Sequence, residues 1–190
     1  MRRCLLLLLV IATGACNGRK DEAPPDAWRT ELAAWQFPAP LPAFPLVDDR
    51  GNSFTLRDLR GPVLLAFAFS RCAVPEACLK TTAHLRDVAA SAPAPRIVVL
   101  TLDPRFDQPA VLAAWKTRER LEEAIFATGA PDVVGALAST VNVFAVGKAP
   151  ELNHPVKAVL LIDGAPAYVW PDNSFTPDDV HKELHARAAQ

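Results

Sequence analysis

Three continuous apolar runs separated by helical patterns constrain the fold of this chain more than any other feature. The runs cover residues 62–69, 97–102 and 156–162. A run without polar alternation indicates a strand that is covered on both faces. Helices are predicted over residues 79–90, 109–121 and 131–140 and after Thr176. Strands and helices in this alternation predict an α/β domain with a mixed central sheet flanked by helices.

Shorter elements complete the predicted domain, which covers residues 43–190. Residues 44–47 and 53–56 flank the polar turn Asp48-Asp49-Arg50-Gly51-Asn52, and this pattern predicts an N-terminal hairpin. A short strand is predicted at 125–128, and the turn Asp163-Gly164 predicts that 156–162 pairs with 167–170. Short α/β domains with this order of elements include the thioredoxin-like fold.

The first 15 residues have the three parts of a secretory signal. Met1-Arg2-Arg3 is a basic start, residues 4–12 are an apolar run, and small residues lead to Ala15. The apolar run is too short to span a bilayer, which takes about 20 residues. Ala15-Cys16 resembles the bacterial lipobox, so Cys16 is the predicted site of lipid attachment. We therefore expect export to the bacterial periplasm or outer cell surface, with the protein tethered to a membrane.

Residues 16–42 are predicted to form the tether. Proline favours extended backbone and makes a semi-stiff spacer. The prolines of this segment are Pro24, Pro25, Pro38, Pro40 and Pro42. The whole chain has a formal charge of −1, and the absence of a basic excess argues against a nucleic-acid partner.

Cys72 and Cys78 follow the 62–69 strand and are the main candidates for chemistry. Six residues of continuous helix rise about 9 Å, which exceeds the roughly 7 Å between Cα atoms that a disulfide allows. If the sulfurs meet, Cys72 lies in a loop and Cys78 on the following helix, as Pro75 favours. The helix N-terminus and Arg71 both favour thiolates. A structural disulfide, a redox-active dithiol and a soft-metal site all remain open.

His154 is the candidate third ligand that separates these possibilities. It stands just before the 156–162 strand, whose start lies beside the cysteine loop in a thioredoxin-like layout. Two thiolates and an imidazole suit copper, because sulfur holds Cu(I) and nitrogen makes Cu(II) tolerable. Zinc accepts the same ligands but prefers four of them. The alternative for His154 is a loop histidine that binds nothing.

In order along the chain, several motifs together resemble the Sco/SenC family, in its C-x5-C subgroup. They are Phe54-Thr55-Leu56-Arg57-Asp58-Leu59-Arg60-Gly61, the cysteine pair, Thr81-Thr82-Ala83-His84-Leu85, Leu102-Asp103-Pro104, Asp107-Gln108-Pro109, His154, and Phe175-Thr176-Pro177-Asp178-Asp179. Members of the family are membrane-anchored, thioredoxin-like, copper-binding proteins associated with cytochrome c oxidase assembly. The commoner family spacing is C-x3-C, and Leu79 stands where the family usually has proline.

The resemblance implies one copper ion, Cu(I) or Cu(II), held by Cys72, Cys78 and His154. It also implies that Asp103 lies near the site, where it orients a ligand or tunes the thiolates; a helix cap is the alternative role. The implied partner is an oxidase subunit or another copper protein, and the implied function is that of a metallochaperone rather than an enzyme.

Three other functions compete with the metallochaperone. In a thiol-disulfide oxidoreductase, Cys72 and Cys78 are the catalytic redox pair and reduce the cysteines of a copper-receiving partner. A thioredoxin-like peroxidase usually has threonine three residues before its reactive cysteine, and Phe69 at that position argues against it. In an exported domain without either activity, the pair is a structural bridge.

Overall fold

The computed structural model describes residues 40–72, 75–143, 145, 147, 149, 152, 154, 157–172 and 175–188, with the backbone alone of 75–77. Its strands are β1 (Leu46–Asp48), β2 (Ser53–Phe54), β3 (Pro62–Ala68), β4 (Arg96–Thr101), β5 (Ile125–Thr128), β6 (Ala158–Ile162) and β7 (Ala165–Trp170). Its helices are α1 (Pro75–Ala90), α2 (Pro109–Glu119), α3 (Pro131–Thr140) and α4 (Pro177–Ala188). The predicted signal, Cys16 and nearly all of the predicted tether lie outside the described residues.

The seven strands form one mixed sheet in the order β2-β1-β5-β4-β3-β6-β7. Strands β3, β4 and β5 are parallel, whereas β1 is antiparallel to β5 and β6 is antiparallel to both β3 and β7. Parallel neighbours need crossover connections, and α1 and α2 provide them. The predicted mixed sheet flanked by helices is therefore confirmed. None of the helices in the described part of the chain has the length and apolar character that a membrane span needs.

Strand β3 is buried on both faces, and the sheet that contains it separates the core into two halves. Leu65, Phe67 and Phe69 pack on one side of the sheet, against Val134 and Leu137 of α3. On the other side, alternate β3 residues pack against α1, α2 and α4. The residues of this second half include Leu64, Ala66, Leu85, Leu112, Trp115 and Val180. Burial on both faces explains why the strand sequence shows no polar alternation.

The second strand of the N-terminal hairpin is shorter than predicted, because Thr55 is the N-cap of a single 3-10 turn at Leu56–Asp58. Asp48 organises the hairpin turn: its carboxylate accepts the N–H groups of Arg50 at 2.9 Å and Asn52 at 2.7 Å, and the Asn52 side-chain amide at 3.0 Å. Burial raises the pKa of Asp48, but these hydrogen bonds outweigh it and leave that pKa below its usual value. Their contribution to stability is complete above the unfolded-state pKa and is lost as the pH falls through the folded-state pKa.

Asp49 connects the hairpin turn to α2 and β5. Its carboxylate accepts the Lys116 ammonium at 2.9 Å and the Phe126 N–H at 3.1 Å, and the side chains of Asp49 and Lys116 are only 7% and 12% exposed. We expect Asp49→Ala to lower the free energy of unfolding by about 2–3 kcal/mol, because both donors lose their partner where water has little access. Urea denaturation measures this loss.

Lys116→Met is the matched control for Asp49→Ala. It removes the charge but keeps much of the apolar stem. The Asp49→Ala/Lys116→Met double variant should be destabilised by less than the sum of the two single variants, because it leaves no unpaired ammonium. Strictly additive losses would show that the two side chains do not stabilise each other.

Two element ends differ from the sequence-based expectation. Helix α1 begins at Pro75 rather than at residue 79, since proline is well tolerated in the first helical turn. Leu41, which the sequence assigns to the tether, is fully buried, and its N–H donates to the Gly164 carbonyl at 3.0 Å. The packed part of the chain therefore includes Leu41.

Candidate functional site

Cys72 and Cys78 form a disulfide, with their Cα atoms 6.6 Å apart. Cys72 lies in the loop that follows β3, and Cys78 lies in the first turn of α1. This is the loop-and-helix arrangement that the C-x5-C spacing required for the two sulfurs to meet. The pair thus lies at the carboxyl end of a central strand, where an α/β sheet commonly holds its functional groups.

A cavity of about 190 Å³ lies beside the disulfide. Phe69, Leu79 and Trp115 form its apolar part, and Thr82, Arg118 and Glu119 are among its polar lining residues. Leu79 directly follows Cys78 and is 56% exposed, so the cavity wall reaches the surface. A group from another molecule therefore has a route from solvent to the cysteine pair.

Glu119 is a buried carboxylate that ties α1 and α2 together beside the pair. It accepts the Thr82 hydroxyl at 2.9 Å, Arg118 Nε at 3.1 Å and Arg86 Nη1 at 3.5 Å. Arg118 also donates to the Ser70 carbonyl at 3.3 Å, which links this network to the cysteine loop. Glu119 is not among the residues predicted from the sequence.

Arg71 and Asp103 form an ion pair next to Cys72. Arg71 Nε lies 2.7 Å from Asp103 Oδ2, and the guanidinium lies 4.2 Å above the ring centroid of Phe106. The N-cap of α2 is Gln108, so Asp103 is not the cap of that helix. The described contact of Asp103 is therefore with Arg71, the residue that precedes Cys72.

His154 packs against Phe69, the residue three positions before Cys72. The two ring centroids are 5.8 Å apart and the rings meet edge to face, at 65°. Phe69 also lines the cavity beside the disulfide, so one residue both contacts the His154 ring and borders that cavity. Within the described ranges, no three His, Cys, Asp or Glu side chains are grouped so as to hold a metal ion. The two sulfurs are bonded to each other, and neither is a thiolate in this state.

A mixed α/β sheet with a cysteine pair at the junction of a central strand and its following helix defines a thioredoxin-like protein. A match to a protein family identifies the chain more specifically than this fold class does. The model of the SCO1/SenC family matches residues 36–187, which is most of the chain. The chain therefore belongs to the SCO1/SenC family, as its motifs predicted.

Solved structures of Sco proteins share this fold. ScoI of Arabidopsis thaliana with copper bound is 20% identical, with a TM-score of 0.64 over 75% of this chain and 96% of that chain. A SCO1/SenC family lipoprotein from Bacillus anthracis is 19% identical, with a TM-score of 0.67 over 77% and 93%. BsSco, described as a Sco-family cytochrome c oxidase assembly protein with a disulfide switch, is 23% identical, with a TM-score of 0.63 over 75% and 90%. Comparison with curated proteins finds no match.

Proposed function

We propose that this protein is a copper-binding metallochaperone that serves the assembly of a cytochrome c oxidase copper site. It holds one copper ion through Cys72, Cys78 and His154 and delivers that ion to an oxidase subunit or another copper protein. Support comes from the family, from the relative with copper bound, and above all from one contact. The His154 ring packs against Phe69, which lines the same cavity as both sulfurs.

Copper binding requires the pair to be reduced first. A thiol reductant supplies two electrons and two protons to the disulfide and is itself oxidised to a disulfide, which leaves two protein thiols. Copper then displaces protons as the thiolates bind. Two soft sulfurs suit Cu(I), and the added imidazole nitrogen suits Cu(II). Affinity should fall at low pH, because protons compete with copper for all three ligands.

Anaerobic copper titration of the full chain tests the proposal. The reduced protein should bind one copper ion per chain. The protein with the Cys72–Cys78 disulfide intact should not bind copper with comparable affinity. The oxidised protein is a matched control, because it has the same sequence and differs only in the bond between two sulfurs. Equal binding by both forms would remove the cysteine pair from the copper site.

The site of action follows from the predicted signal. We propose that the protein is exported, lipidated at Cys16 and held at the membrane of the bacterial periplasm or outer cell surface. The Bacillus anthracis lipoprotein of the same family supports this location. Intact-mass measurement of the membrane-extracted protein should give a chain that begins at Cys16 and carries added lipid. A processed chain without lipid would reject the anchor.

Asp103 is proposed to influence the site through Arg71. The Asp103 carboxylate holds the Arg71 guanidinium at 2.7 Å, and Arg71 precedes Cys72. We expect Asp103→Asn to release Arg71 and to change copper affinity by about tenfold, as is usual for groups that orient metal ligands. Competition with a copper chelator measures the change. Asp132 is an exposed acid on α3, and Asp132→Asn is the control. Equal copper affinity in the two variants would show that Asp103 does not influence the copper site.

The observed disulfide favours a second candidate, a thiol-disulfide oxidoreductase. In this reaction one reduced cysteine of the pair attacks a partner's disulfide and forms a mixed disulfide, releasing one partner thiol. The second cysteine then attacks the mixed disulfide, which frees the partner's other thiol and leaves Cys72 and Cys78 oxidised. Turnover of a partner disulfide by copper-free protein, together with copper binding too weak to compete, would favour this function.

A further inference from the structure

Asp107 is a fully buried carboxylate at the base of the cysteine loop. Its Oδ2 accepts the Ser70 N–H at 3.1 Å and its Oδ1 accepts the Ser70 hydroxyl. Oδ2 also accepts the Thr101 hydroxyl. Among the described residues, these donors are all neutral, so hydrogen bonds compensate the cost of burying this side chain.

These contacts join the ends of two neighbouring strands. Thr101 is the last residue of β4, and Ser70 follows the end of β3 by two residues. The two strands are parallel, and the Leu102 N–H donates to the Ala68 carbonyl at 2.9 Å. Asp107 continues this connection past the last backbone hydrogen bond and into the loop that contains Cys72.

The N–H, the hydroxyl and the carbonyl of Ser70 each form a hydrogen bond. Asp107 accepts its N–H and its hydroxyl, and Arg118 donates to its carbonyl. The chain is therefore fixed in place two residues before Cys72. The Cys72 sulfur must stay close to the Cys78 sulfur, and a fixed loop entry keeps it there at little cost in conformational entropy.

We propose that Asp107 is a positioning residue for the cysteine pair, and that it acts by holding Ser70 so that Cys72 stays within bonding distance of Cys78. It thereby sets the equilibrium between the disulfide and the dithiol. This inference rests on the proposed function only in taking the pair as reactive, and it requires no copper.

Thiol exchange of the full-length protein with glutathione tests the proposal. In this equilibrium the protein disulfide and two glutathione molecules give the protein dithiol and one glutathione disulfide. In Asp107→Asn, one oxygen remains to accept the Ser70 N–H and the Thr101 hydroxyl, but the NH₂ group no longer accepts the Ser70 hydroxyl. The remaining hydrogen bonds also lose their charge-assisted strength, which loosens the loop. We expect its equilibrium to shift about tenfold toward the dithiol, equivalent to a reduction potential about 30 mV more positive.

Three further variants separate positioning from general stability. Ser70→Ala and Thr101→Val each remove one hydroxyl donor and should shift the equilibrium in the same direction by a smaller factor. Asp87→Asn changes the charge equally at an exposed position on α1 and should leave the equilibrium unchanged.

Thermal unfolding is measured in parallel for each variant. An equilibrium within twofold of the original in Asp107→Asn, despite a lower melting temperature, would reduce Asp107 to a stabilising role and overturn the proposal. If Asp107→Asn does not fold, the equilibria of Ser70→Ala and Thr101→Val decide instead, and unchanged values in both overturn it. Absence of copper binding in the titration described above would contradict the metallochaperone and leave this result intact.

Discussion

Replacing Cys72 with serine should abolish tight copper binding and the Cys72–Cys78 disulfide in a single variant. The change removes one of two soft ligands and leaves one thiolate and one imidazole for Cu(I), which prefers sulfur. We expect the affinity for Cu(I) to fall on the order of 10³-fold, because each ligand of a tight site contributes several kcal/mol. Anaerobic competition with a chromophoric Cu(I) chelator measures the fall.

The chain offers a matched control for this experiment. Ala89→Ser introduces a serine at an exposed position on α1, eleven residues after Cys78, and its copper affinity should equal that of the original chain. Circular dichroism should show the same helix and strand content in both variants. If Cys72→Ser binds Cu(I) as tightly as Ala89→Ser, the copper site lies elsewhere in the protein.

Replacing His154 with alanine should discriminate between the two oxidation states of copper. The remaining thiolates are the ligands that Cu(I) prefers, whereas Cu(II) depends more on the imidazole nitrogen. We expect Cu(II) affinity to fall by about 100-fold or more and Cu(I) affinity to fall by much less. Chelator competition gives both affinities, and the Cu(II) absorption and paramagnetic resonance spectra should change with the loss of a nitrogen ligand.

His185→Ala is the control for the histidine experiment, because His185 is exposed on α4. Its Cu(II) affinity and spectra should match those of the original protein. Identical Cu(II) binding by His154→Ala and His185→Ala would exclude His154 as a ligand. The imidazole would then contribute only its packing against Phe69.

The strands of the central sheet were predictable because their burial leaves a direct mark on the sequence. Residues 125–128 and 131–140, predicted as a strand and a helix, are observed with those limits as β5 and α3. The position of Cys72 in a loop and Cys78 on a helix was predicted for the case in which the two sulfurs meet, since one continuous helix cannot bring them together. Local patterns and covalent geometry were sufficient for these features.

The buried acids were not predicted, because their burial depends on donors that come from distant parts of the chain. The Asp107 carboxylate is compensated by Ser70 and Thr101, and nothing local marks it as different from a solvated loop residue. Glu119 did leave a signal: it continues the helical spacing of the buried residues Leu112 and Trp115. Glu119 was nevertheless not predicted to be buried, because a charged residue is seldom buried without a partner.

The contact between Leu41 and Gly164 fixes where the N-terminal segment joins the domain. Gly164 follows the end of β6, where Ile162 pairs with Pro62, the first residue of β3. Cys72 lies beyond the other end of β3, about 23 Å away along seven residues of strand. The chain that precedes Leu41 therefore joins the packed domain at the pole opposite its two sulfurs. A protein that docks on the sulfurs does not have to displace this junction.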